Sequence, residues 1–252
     1  MTTLLPVRED DAYPGPVVGV IGGNGPAATA LFQDVLVKLT PASRDQDHLD
    51  LVVLVHSTQP DRTARILSAD APDPGPVLAR DAARLDALGT DFIVLPCNTA
   101  YHFLPQIQAA TSQEVLSIVD ATARAALTAA ARSAGADGSR VGLLVTDGTR
   151  TAGVYEKVLD SLGARSVYPD ENDQSLTMSV IYDGVKAGGP VDVAGLEGVI
   201  ERLRERSDVV VLGCTELSVI HATQGWSSRG ELVDSIESLA RATIRRAGRE
   251  PR

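Results

Sequence analysis

The sequence predicts an α/β protein of two pseudo-equivalent units, each a mainly parallel sheet flanked by helices, the two facing each other. Three observations lead there. Apolar, β-branched runs alternate with Ala- and Leu-rich segments of helical length, the pattern of parallel sheets covered by helices. The runs are nearly continuous, as in strands buried on both faces. Finally, the chain has only two cysteines, and each follows an apolar run and precedes a threonine or an Asn-Thr pair.

In order, "PVVGVIGGNGP" reads as a strand entering a Gly-rich turn, with Pro26 at the first position of a helix extending to about Thr40. "LDLVVLVHS", "DFIVLPCNT" and "EVLSIVD" continue the first sheet. "TAAARSAGADGSR" ends a helix in a Gly-containing loop, and a new strand starts at Arg140 or Val141. "RVGLLVTDG", "ARSVYP" and "DVVVLGCT" then build the second sheet. The last segment, "ELVDSIESLARATIRRAGREPR", reads as a helix returning to the first unit, its basic end suiting the negative helix pole. The expected division is therefore 15–116 plus 223–252 for the first domain and 117–222 for the second.

The 252 residues are 44% hydrophobic and 22% charged, a balance that supports a real core. With 23 basic against 33 acidic residues, the net charge is −10. No Lys/Arg cluster with interleaved aromatics stands out, so nucleic acid is not an expected partner. An anionic ligand must be held locally against the net field, which draws attention to Arg62 and Lys186. No apolar run approaches the roughly 20 residues of a membrane span. The acidic, Pro-interrupted opening "MTTLLPVREDDAYPGP" lacks the form of a signal peptide. The expectation is a cytoplasmic protein with free thiols and no membrane partner.

Gly23, Gly25 and Ala28 match the form G-x-G-x-x-A after a strand. A dinucleotide site also needs an acid at the end of the second strand, but that run ends in His56 and Ser57. The expectation is a tight turn lining a cleft, with no cofactor; its amides remain available to a carboxylate or phosphate.

Cys97 and Cys214 each sit at a strand's carboxyl end, where ligands bind in parallel α/β folds. A lone cysteine there is ordinarily a small buried hydrophobe. Before a helix, its pKa is expected to fall below the free value near 8.5. Metal binding wants three or four ligands at recognisable spacing, and nucleophilic hydrolysis needs one thiol with a histidine. Removing a proton from carbon and returning it on the opposite face needs two groups, one per face.

The strings "PCNTA", "GCTEL", "PDRT" and "IYDGVKAG", with the loop "GVIGGNGP", resemble the pyridoxal-phosphate-independent aspartate/glutamate racemase family, in particular its aspartate racemase branch, from about Val17 to Gly248. The resemblance implies an active site between two similar domains, no cofactor, a homodimer, and an acidic amino acid as substrate. It implies that Cys97 and Cys214 are the catalytic acid/bases, Cys97 acting on the D form and Cys214 on the L form. Asn98, Thr99 and Thr215 would hold the α-carboxylate. Asp61, Arg62 and Lys186 would surround the side chain and ammonium of the substrate. Asn24 stands where many relatives have Met, so it is expected beside the substrate. Glu216 replaces the His of the "GCTH" string typical of glutamate racemases and would orient Cys214 or a substrate ammonium. Related enzymes acting on hydantoins, maleate or malonate, and a non-catalytic two-domain binding protein, are the alternatives. His48, His56, His102 and His221 receive no role, His102 being the best candidate among them.

Overall fold

The computed structural model describes residues 15–131 and 139–252. The segment read for a signal peptide and most of the Gly-containing loop after the "TAAAR" helix lie outside the described residues. Among the described residues eight strands form two four-stranded parallel sheets. In the first, β1 (Val17–Gly22), β2 (Asp50–Val55), β3 (Phe92–Val94) and β4 (Glu114–Leu116) lie in the order β2-β1-β3-β4. In the second, β5 (Arg140–Leu144), β6 (Arg165–Val167), β7 (Val209–Leu212) and β8 (Leu232–Asp234) repeat that order as β6-β5-β7-β8. Register is parallel throughout, with Val18 opposite Phe92 and Val211 opposite Val233.

Helices α1 (Pro26–Leu39), α2 (Arg62–Leu67), α3 (Gly75–Ala87) and α4 (Leu104–Gln108) accompany the first sheet. After β4 come α5 (Ile118–Ala130), α6 (Asp147–Ala152), α7 (Val154–Ser161), α8 (Glu171–Ser179), α9 (Val193–Arg204), α10 (Thr215–Gln224) and α11 (Ser235–Arg246). A π-helix, Val180–Lys186, extends α8. Among the described residues no helix is long and apolar enough to cross a membrane.

Two expected elements differ. "EVLSIVD" stops being a strand at Leu116, because Ser117 accepts a hydrogen bond from the Asp120 amide and caps α5. The start of the final helix is instead a strand: Leu232–Asp234 pairs with β7, and Asp234 caps α11 through the Glu237 amide. The expected boundary thus misplaces β8, which belongs to the second sheet. A three-residue edge strand is too short to show alternation, and its cap residue reads as part of the helix it starts.

The two units are joined by a shared core. α5 follows the first sheet but packs on β5, β7 and α7, while α11 follows the second and packs on α1 and α5. Val20, Phe32, Val119, Tyr155, Val211 and Leu239 belong to one continuous apolar cluster. Each such fully buried side chain contributes about 1.5–3 kcal/mol, so the relative position of the sheets is fixed by burial rather than by a linker. Both sheets direct their carboxyl ends toward one cleft.

Candidate active site

Strand order decides where the thiols go. β3 and β7 hold equivalent positions in their sheets, and the loops after them deliver Cys97 and Cys214 to one small cavity of about 260 Å³, part of it open to solvent. Both are free thiols and only 5% exposed. All ten residues singled out from sequence line this cavity: Asn24, Asp61, Arg62, Cys97, Asn98, Thr99, Lys186, Cys214, Thr215 and Glu216. It opens toward an outer groove of about 930 Å³, whose walls include Gly23, Gly25, Ser57, Gln59, Asp61, Arg62, Lys186 and Glu216.

The Gly-rich turn shapes one wall. Gly23 has φ +88°, and a Cβ there would lie 2.5 Å from the His56 backbone, so only glycine fits without strain. Gly25 caps α1, and a Cβ on it would lie 2.7 Å from Glu216 Oε1. Glu216 thus brings a carboxylate from the second unit to the α1 N-terminus, where helix charge favours it. A dinucleotide fingerprint would turn those amides toward a pyrophosphate.

The thiols have opposite electrostatic surroundings. Cys214 donates to Glu216 Oε2 at 3.0 Å. Burial first, then the Glu216 carboxylate, push its pKa well up; Lys186 and the Glu216 amide oppose them without prevailing. This overturns the lowered pKa expected for Cys214. It does stand at the N-cap of α10, but its side chain makes no cap hydrogen bond. Cys97 instead precedes a 3-10 helix, Thr99–Phe103, rather than an α-helix. Its electrostatic neighbour is Arg62: burial works to lower the pKa of that guanidinium, but the charges of Cys97, Asp61 and Glu216, with the close approach of the Cys97 sulfur, outweigh it and raise it.

Arg62 donates to the carbonyls of Pro60 at 3.0 Å and Asn24 at 3.2 Å. Its Nε is buried without a hydrogen-bond partner among the described residues, and the same holds for Asn24 Oδ1. The lining therefore holds one spare donor on a cation and one spare acceptor. Buried polar groups are normally paired, so both are suited to a ligand carrying an anionic and a cationic group.

Lys186 is placed by the π-helix. Its Nζ lies 3.7 Å from Asp61 Oδ2 and 4.0 Å from the centre of the Tyr182 ring. Burial works to lower its pKa, but Glu216, Cys214, Tyr182 and Asp61 together raise it. Asp61 caps α2 through the Ala64 amide and receives the Tyr182 hydroxyl at 3.4 Å. This contact ties the first unit to the second across the mouth of the cavity.

The Asn98 and Thr99 side chains are less free than their expected role requires. Asn98 donates to Ser235 Oγ at 3.0 Å and accepts from the Tyr155 hydroxyl at 2.7 Å. Thr99 Oγ1 lies 3.1 Å from Thr146 Oγ1 and 2.8 Å from Thr149 Oγ1. Sequence reasoning missed Thr63 and Thr146, which also line the cavity and are joined hydroxyl to hydroxyl at 3.3 Å. Thr146 follows β5 as Asn24 follows β1, so the internal pseudo-symmetry was the signal for it. No histidine lines the cavity: His56 pairs with Asp81 at 2.9 Å, His102 is exposed, and His221 faces another groove.

The family described as Asp/Glu/hydantoin racemase matches residues 21–243. The chain is 26% identical over 232 residues to the broad-specificity amino-acid racemase RacX of Bacillus subtilis (strain 168), covering 90% of this chain and 96% of that protein. Among solved structures it is similar to the Picrophilus torridus aspartate racemase, with 29% identity, 94% and 96% coverage of the two chains and a TM-score of 0.77. An aspartate racemase homologue from Pyrococcus horikoshii OT3 shares the fold at 23% identity, 92% and 99% coverage and a TM-score of 0.72. Two matched sheets, a thiol at the equivalent edge of each and a family match over most of the sequence lead to one conclusion: this chain belongs to the Asp/Glu/hydantoin racemase family, whose racemases are isomerases.

Proposed function

We propose that the protein racemises aspartate, without pyridoxal phosphate, by two-base proton transfer between Cys97 and Cys214. The observation that carries this reading is the pair of buried thiols in one small cavity, one beside a guanidinium and the other beside a carboxylate. The likeness to an aspartate racemase at 29% identity supports the substrate. In the resting protein Cys214 is the thiol, held protonated by burial and Glu216. Cys97 is then the first base, removing the Cα proton from one face while Cys214 delivers a proton to the other. Reversal exchanges the roles.

The spare groups fit the remaining parts of the substrate. Arg62 offers a buried cationic donor to a carboxylate, and Lys186 stands at the same cavity for the second. Asn24 Oδ1 accepts from the ammonium, with Glu216 beside it as its counter-charge. An ammonium near Glu216 weakens the carboxylate's hold on the Cys214 proton, so substrate binding itself readies Cys214 as an acid. Aspartate, glutamate and neutral amino acids are compared by polarimetry and by loss of the Cα proton in D2O. The proposal expects exchange with aspartate that persists after pyridoxal phosphate is removed; no exchange with aspartate contradicts it.

A further inference from the structure

A second groove lies behind the site, walled by α1, α10 and α11 and enclosing about 910 Å³, part of it open to solvent. Its apolar side is formed by Leu31, Val35 and Leu39. Its polar side is unusual in being left unfinished. Ser218, 1% exposed, and Asp234, 7% exposed, both line it. Ser218 Oγ and Asp234 Oδ2 are buried and make no hydrogen bond of acceptable geometry among the described residues. Asp234 Oδ1 is already used by the Glu237 amide.

Charge around the groove is unequally matched. Lys38 is paired with Asp34 at 2.6 Å, and Arg241 with Glu237 at 2.8 Å. Asp234 is left with no salt bridge to Lys or Arg among the described residues, though His221 lies close enough to act on its charge. A buried carboxylate without a cation is costly unless something enters to pair it. Burial raises its pKa, while the adjacent Ser218 hydroxyl, the Glu237 amide and His221 work to lower it without prevailing.

We infer that this groove binds a small alkylammonium ion, its nitrogen held by Asp234 and Ser218 and its chain lying along Leu31, Val35 and Leu39. The ammonium supplies the donors that Asp234 Oδ2 and Ser218 Oγ lack, and three aliphatic side chains suit a short alkyl tail. The same position reaches the catalytic cavity twice. α10 begins directly after Cys214, and Ser235, next to Asp234, holds the Asn98 side chain.

The test is calorimetric titration of the whole protein with n-butylammonium chloride and, at equal ionic strength, with sodium butyrate. Fluorescence of Trp226, the single tryptophan and the neighbour of groove-lining Ser227, provides a second signal. Saturable binding of butylammonium but not butyrate is expected. Asp234→Asn keeps a good helix cap but removes the charge, and should weaken binding about 10- to 100-fold. Ser218→Ala should weaken it about 2- to 10-fold, which tests the site if the Asp234 variant does not fold. Arg62→Ala should leave it unchanged, placing the ligand outside the catalytic cavity. The inference is overturned by absence of saturable butylammonium binding, by equal binding of butyrate, by undiminished affinity in both groove variants, or by loss of binding in Arg62→Ala.

Discussion

Cys214 Sγ donates to Glu216 Oε2 at 3.0 Å, two residues along the same helix start. Burial and this carboxylate push the pKa of the Cys214 thiol up, whereas Cys97 faces a guanidinium. A two-base reaction needs such an inequality, since it must begin with one base and one acid.

Glu216→Gln should lower the Cys214 pKa, because the variant keeps the side-chain shape but removes the carboxylate that helps raise it. A base is active above its own pKa. The acidic limb of the pH profile should therefore move to lower pH for the enantiomer that Cys214 deprotonates, and move little for the other. Measurement of kcat/KM against pH with each pure enantiomer checks this; equal profiles in variant and parent would refute the role.

Gly25→Ala is expected to act through the same carboxylate. Gly25 has φ −113°, which alanine tolerates, and the new Cβ meets only the flexible end of Glu216. Stability should change by less than about 1 kcal/mol, while the pH profile should shift in the direction expected for Glu216→Gln. Thermal unfolding and kcat/KM profiles on one preparation separate the two effects.

The sequence made much of this readable, for reasons that can be located. Strands β1, β3, β5 and β7 are largely buried apolar runs, the half-buried β2 is apolar from Leu51 to Val55, and Pro26 marks a helix start whatever lies around it. The ten cavity residues expected from sequence all lie in the strings that resemble the family. The Cys214 pKa was misjudged because the cap position was visible but the burial and the Oε2 contact were not. β8 was hidden by its three-residue length. Thr146 depends on two sheets meeting, since its hydroxyl partners Thr63 and Thr99 lie 83 and 47 residues away.

Thr146→Val should cost about 0.5–2 kcal/mol in stability, because Thr146 Oγ1 caps α6 through the Thr149 amide. It also removes one hydroxyl from the threonine network in the cavity wall, so KM should rise. Urea unfolding with steady-state kinetics tests both; unchanged stability would show that the cap contributes nothing.

Arg62→Ala should weaken carboxylate recognition by about 1.5–3 kcal/mol, the range for a hydrogen bond to a charged group. Arg62→Lys should recover only part of this, since an ammonium lacks the planar fork. Comparison of kcat/KM for aspartate and for a neutral amino acid measures the difference, and equal losses for both would count against a side-chain role.

The central claim is that Cys97 and Cys214 work from opposite faces of one carbon. The most direct measurement is Cα proton exchange in D2O by Cys97→Ala and Cys214→Ala, each incubated separately with pure D- and L-aspartate. Racemisation should fall by at least about 10²–10⁴-fold in both variants, the usual loss for a general acid or base. Residual exchange should be slow and confined to one enantiomer: the D form in Cys214→Ala, where Cys97 remains, and the L form in Cys97→Ala. Near-parental racemisation in either variant, or exchange of the same enantiomer by both, would contradict the opposed-thiol account.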